Sequence, residues 1–88
     1  MGGAVAEVVG QLLRELGERH QVLCVTHLPQ VASCATAHFQ VSKAETDGTT
    51  RSSIVPLSEK ERVEEVARML GGIKITATTR KHAREMLG

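Results

Sequence analysis

The chain has 88 residues, 41% of them hydrophobic and 24% charged, with a formal net charge of +1. That length allows at most one small domain, which buries only part of the surface its unfolded chain exposes. The near-neutral balance sets up no overall field to draw nucleic acid or a membrane surface. No apolar run approaches the roughly 18 residues needed to span a bilayer, and no basic-then-apolar leader opens the chain. Two cysteines, Cys24 and Cys34, are too few for a disulfide framework, so a reducing intracellular compartment is the expectation. Phe39 is the only aromatic residue, which leaves Val, Leu, Ile, Met and Ala to build any core.

Over residues 4–16, Val5, Val8, Val9, Leu12, Leu13 and Leu16 recur at helical spacing. Glu7, Gln11, Arg14 and Glu15 take the opposite face, so an amphipathic helix is predicted, with Gly17 placed as its C-terminal cap. Val22-Leu23-Cys24-Val25 is apolar on both parities, as suits a strand covered on both faces of a parallel sheet. A helix followed by a strand at this spacing is the second half of a βαβ unit. A preceding strand is therefore expected, yet the chain opens at Met1-Gly2-Gly3, within what should be the loop after it.

Leu28 to Ala35 reads as a short helix or a turn, with Pro29 acceptable in a first helical turn. Phe39, Val41 and Lys43 alternate with His38, Gln40 and Ser42, giving a strand with one buried face. Thr46-Asp47-Gly48-Thr49 signals a turn and Arg51 to Leu57 a return strand, which together predict a β-hairpin. Ser58-Glu59-Lys60-Glu61 matches a capping box. The helix behind it turns Val63, Val66, Ala67 and Leu70 inward and ends at Gly71-Gly72. Either Thr76 or Thr78 caps a last helix to Leu87, whose apolar face of Ala83, Met86 and Leu87 is thin.

The most informative stretch is Thr26-His27-Leu28-Pro29, where the apolar run stops at a histidine. The carboxyl end of a parallel strand is where open α/β sheets bind ligands, and an imidazole there can donate to an anion at neutral pH. Cys24, His27, Cys34 and His38 superficially offer four zinc-type ligands, but Cys24 lies inside the apolar run and the spacing fits no established finger, so no metal is expected. Arg80, Lys81, His82 and Arg84 form a basic cluster on the last helix, which reads first as a solvated face and second as a DNA-backbone contact. Arg62, Glu65 and Arg68 stand three apart on a helix and read as ordinary intrahelical ion pairs without a catalytic role.

Two blocks, Val25-Thr26-His27-Leu28-Pro29-Gln30-Val31-Ala32 and Arg62-Val63-Glu64-Glu65-Val66-Ala67-Arg68-Met69-Leu70-Gly71-Gly72, are separated by a hairpin containing Asp47-Gly48. In this order and spacing the chain resembles the C-terminal end of the RecN family of bacterial DNA-repair proteins. These are relatives of the SMC proteins with an ABC-type ATPase head, and the resemblance runs along essentially all of the chain. It implies an α/β fold: residues 1–88 as an incomplete domain of a P-loop ATPase head, with a short parallel strand and a β-hairpin packed with about three helices. It also implies that His27 is the switch histidine near the γ-phosphate of ATP, and that Gly2 and Gly3 are the tail of the D-loop. Read without the family, His27 is a strand-terminal histidine with a satisfied hydrogen bond, and the two glycines are a flexible start to the helix.

The family's acidic strand, P-loop and signature motif are not found in this sequence, and no Gly-x-x-x-x-Gly-Lys-Ser/Thr occurs. Met1 is therefore expected to be an artificial or misassigned start. Phosphoryl transfer needs a lysine, a metal and an oriented water held together. ATP and Mg²⁺ are accordingly implied for the intact protein, and neither tight ATP binding nor hydrolysis is expected of this chain alone. The implied partners are the remainder of the head, a second head in a homodimer, and DNA through the intact protein; the implied location is cytoplasmic and nucleoid-associated. With one edge of the Val22–Val25 strand open, self-association is expected. The competing expectation is a small non-enzymatic interaction module that keeps the α/β shape without ATPase chemistry.

Overall fold

Six elements follow one another in the computed structural model, which describes residues 2–72 and 74–88. They are α1 (Gly3–Gly17), α2 (Pro29–Ala32), β1 (Phe39–Thr46), β2 (Thr49–Pro56), α3 (Glu59–Gly71) and α4 (Ala77–Leu87). Met1, read from the sequence as an artificial start, lies outside the described residues.

Local chemistry accounts for most of the boundaries. β1 and β2 pair antiparallel from Phe39 with Pro56 to Thr46 with Thr49, leaving Asp47-Gly48 as a two-residue turn. Both turn residues have positive φ, 51° and 75°, as a hairpin turn that follows the strand twist requires. Ser58 starts α3 with a complete capping box: its Oγ accepts from Glu61 N at 3.2 Å, and Glu61 Oε1 accepts from Ser58 N at 3.0 Å. Thr76, not Thr78, caps α4, its Oγ1 accepting from Thr79 N at 3.1 Å. α1 runs through Gly17 to a right-handed cap at Glu18, so that glycine does not turn the chain.

Two apolar seams hold these elements. In the first, α3 and α4 close over Val66, Ala67 and Ala83, all fully buried, with Val63, Leu70, Ile75, Met86 and Leu87 packed around them. Alanines at the crossing let the two helices approach closely. In the second, Ala6 and Gly10 of α1 are buried with Val31 and Ala32 of α2 and with Cys34 just beyond it. A Cβ on Gly10 would stand 2.8 Å from Cys34 Sγ and 2.9 Å from the Gln30 carbonyl oxygen, so only glycine fits there without displacement. Among the described residues no helix is long and apolar enough to cross a membrane.

Three expectations are corrected. Residues 22–25 form no strand and pair with no neighbour among the described residues, and Leu23 and Val25 are 90% and 91% exposed. A β-ladder needs a neighbour to accept its amides, and the described residues supply none beside this segment. The only sheet among them is the antiparallel hairpin, so the mixed helix-and-strand class stands while the parallel strand does not. The hairpin has no buried face, since every residue of both strands is exposed. The long apolar stripe of α1 is also uncovered, with Val5, Val8, Leu12 and Leu16 facing solvent.

The molecule is correspondingly open. Its radius of gyration is 14.2 Å, against about 12 Å for a compact chain of this length. Its accessible surface of 6912 Å² exceeds the roughly 5,000 Å² expected of a folded protein this size.

Candidate functional site

The Thr26–Pro29 turn is organised by its own sequence. Thr26 Oγ1 accepts from Leu28 N at 3.0 Å, which bends the chain at His27 and leaves the imidazole exposed. Leu28 is the N-cap of α2 in an extended conformation, and Pro29, buried, occupies the first helical position where its missing amide costs nothing. One turn of helix follows: Val31 N and Ala32 N both donate to the Leu28 carbonyl, at 3.1 and 3.0 Å. Gln30, three residues past His27, reaches the start of α1, because a Cβ on Gly3 would meet its Nε2 at 3.4 Å. Gly2 is the N-cap of α1 and has no side chain to cap it. The backbone of Gln30 lies against Gly10 in the middle of α1, and its side chain reaches from there to Gly3.

The far end of α2 is held by α3. Arg62 Nη2 donates to the carbonyl of Ala32 at 3.1 Å and of Ser33 at 3.4 Å, and also to that of Ala35. This corrects the ion-pair reading of α3: Glu65 does pair with Arg68, but Arg62 turns away to α2. Burial lowers the pKa of the Arg62 guanidinium from its ordinary value, and the Arg14 charge on α1 adds to that.

His38 Nδ1 is buried and unpartnered. Burial is the main cause that lowers its pKa below 6.5, the Arg62 charge is the second, and Glu65 opposes both. Glu65 also accepts from Gln40 Nε2 at 3.1 Å, which ties β1 to α3.

The four nominal zinc ligands do not converge. Cys24 is exposed, whereas Cys34 is buried with its Sγ on the Gln30 carbonyl at 3.3 Å. Among the described residues no group of three His, Cys, Asp or Glu side chains could hold a metal ion. Within the basic cluster of α4, Arg80 is engaged, its Nε 2.7 Å from Glu64 Oε1 on α3, while Lys81, His82 and Arg84 are exposed.

No family model matches the chain. Individual sequences do, and they are bacterial DNA-repair proteins. The DNA repair protein RecN of Xylella fastidiosa (strain 9a5c) is 55% identical over 87 residues, 99% of this chain. Those of Vibrio cholerae (strain El Tor Inaba N16961) and Bacillus subtilis (strain 168) are 48% and 40% identical over the same share. The chain is homologous to the C-terminal part of RecN. It spans 16% of the length of the Xylella and Vibrio relatives and 15% of the Bacillus one.

Proposed function

We propose that the chain forms the C-terminal portion of a RecN-like, ABC-type ATPase head that acts in double-strand-break repair. In this reading His27 contacts the γ-phosphate of ATP, and Gly2–Gly3 is the tail of the loop that meets a second head. The observation that supports it is the exposed His27 imidazole at a bend fixed by Thr26, with the side-chain amide of Gln30 reaching Gly3 at the start of α1.

The exposure of Leu23 and Val25 supports the same reading from the packing side. With Cys24 exposed as well, the apolar run fits a central strand of a parallel sheet whose neighbours and covering helices belong to the rest of the head. His27 fits one phosphate oxygen as a hydrogen-bond donor. The described residues have no cluster for Mg²⁺, so metal, P-loop lysine and attacking water are held by residues of the intact protein outside this sequence. The further partners in this reading are a second head and DNA, in the cytoplasm at the nucleoid.

The test is His27→Ala in the intact protein that carries this segment. One hydrogen bond to a charged phosphate is worth about 1.5–3 kcal/mol, so kcat is expected to fall on the order of 10- to 100-fold. ATP affinity should change only a few-fold. Unchanged turnover would reject His27 as the phosphate sensor.

A further inference from the structure

α2 is four residues long, too short to hold its shape by helical hydrogen bonding alone. Its N-cap directly follows His27, so anything that fixes α2 fixes where the imidazole points. At its other end three carbonyls, of Ala32, Ser33 and Ala35, converge on Arg62 Nη2. Arg62 is rooted in α3, whose Val66 and Ala67, four and five residues on, are fully buried against α4. Glu65, one turn further along α3, is engaged by Arg68 and Gln40. Arg62 Nε is buried without a partner, so the hydrogen bonds of this guanidinium run through Nη2 to α2. A cation at a helix C-terminus also meets the negative end of the helix dipole.

We propose that Arg62 is a positioning residue for His27: by clamping the C-terminal carbonyls of α2 to the α3–α4 pair, it holds the turn that presents the imidazole. The proposal rests on the reading of His27 as a phosphate sensor. Arg62 touches no nucleotide in this arrangement and acts only through α2.

The test uses the intact protein. In Arg62→Met, amide hydrogen exchange at Val31 and Ala32 is expected to quicken on the order of tenfold as the charge-assisted bonds are lost. Protection at Ala67 and Ala83 should stay as in the parent. The kcat for ATP is expected to fall on the order of tenfold with KM nearly constant, and Arg62→Met should add nothing further in a His27→Ala background. If Arg62→Met does not fold, Arg62→Lys, which keeps the charge but not the planar fork, serves for both measurements, with changes of roughly threefold. Unchanged exchange at Val31 and Ala32 overturns the clamp whatever turnover does. Full turnover in His27→Ala overturns the reading of His27, and the positioning role with it. If His27→Ala is impaired and the Arg62→Met loss simply adds to it, the positioning role alone is overturned.

Discussion

Gly10 and His38 carry the tightest constraints on single residues in this molecule. At Gly10 the two nearest obstacles differ in kind: the Cys34 sulfur can rotate aside, but the Gln30 carbonyl belongs to the backbone of α2. Gly10→Ala gains about 1 kcal/mol in helix propensity, while overpacking typically costs about 1–3 kcal/mol. We expect a net loss of stability, seen as a lower urea midpoint with an unchanged slope. At His38 the lowered pKa fixes the sign of a pH effect. The unfolded chain takes up a proton near 6.5 while the native imidazole resists it, so the contribution is intact above 6.5 and is lost as pH falls below that value toward the lower native pKa. The urea midpoint measured from pH 8 to pH 5 should therefore decline less steeply in His38→Gln than in the parent. Neither constraint was legible in the sequence. Gly10 reads as one small residue within an apolar helix, and the Arg62 charge that acts on His38 comes from 24 positions away, outside any shared motif.

The elements that could be read in advance are those fixed by neighbours in sequence. Ser58 with Glu61, Thr76 with Thr79, and Asp47-Gly48 each satisfy or turn the backbone within four residues, and each forms. Thr76→Ala removes the acceptor for Thr79 N and should destabilise α4 by about 1 kcal/mol. That loss is checked by the drop in helical circular dichroism on heating, which should begin at a lower temperature. Elements that need distant partners behaved otherwise. Val22–Val25 has the composition of a buried strand but finds no neighbour to pair with among the described residues, and both strands of the hairpin are exposed throughout. The same distinction applies to the candidate site: the bend at His27 is written locally in Thr26 and Pro29, whereas the meeting of Gln30 with Gly3 emerges only from the packing of α1 on α2.

Taken as a whole, the molecule exposes about 1,900 Å² more surface than a folded protein of its size should. That is more than twice the roughly 800 Å² each partner contributes to a standard interface. Much of it is apolar, on α1, on residues 22–25 and on the hairpin. We expect the isolated chain to self-associate through these faces, giving a sedimentation coefficient that rises with concentration and changes little with added salt. A single monomeric species at high concentration would count against that. The division into two seams has a thermodynamic consequence. Ala6 and Gly10 stabilise one pair of helices, Val66, Ala67 and Ala83 another, and the charged fork of Arg62 spans the gap between them. The α1–α2 pair, tied to the rest through that fork, is expected to open to amide exchange before the α3–α4 pair does.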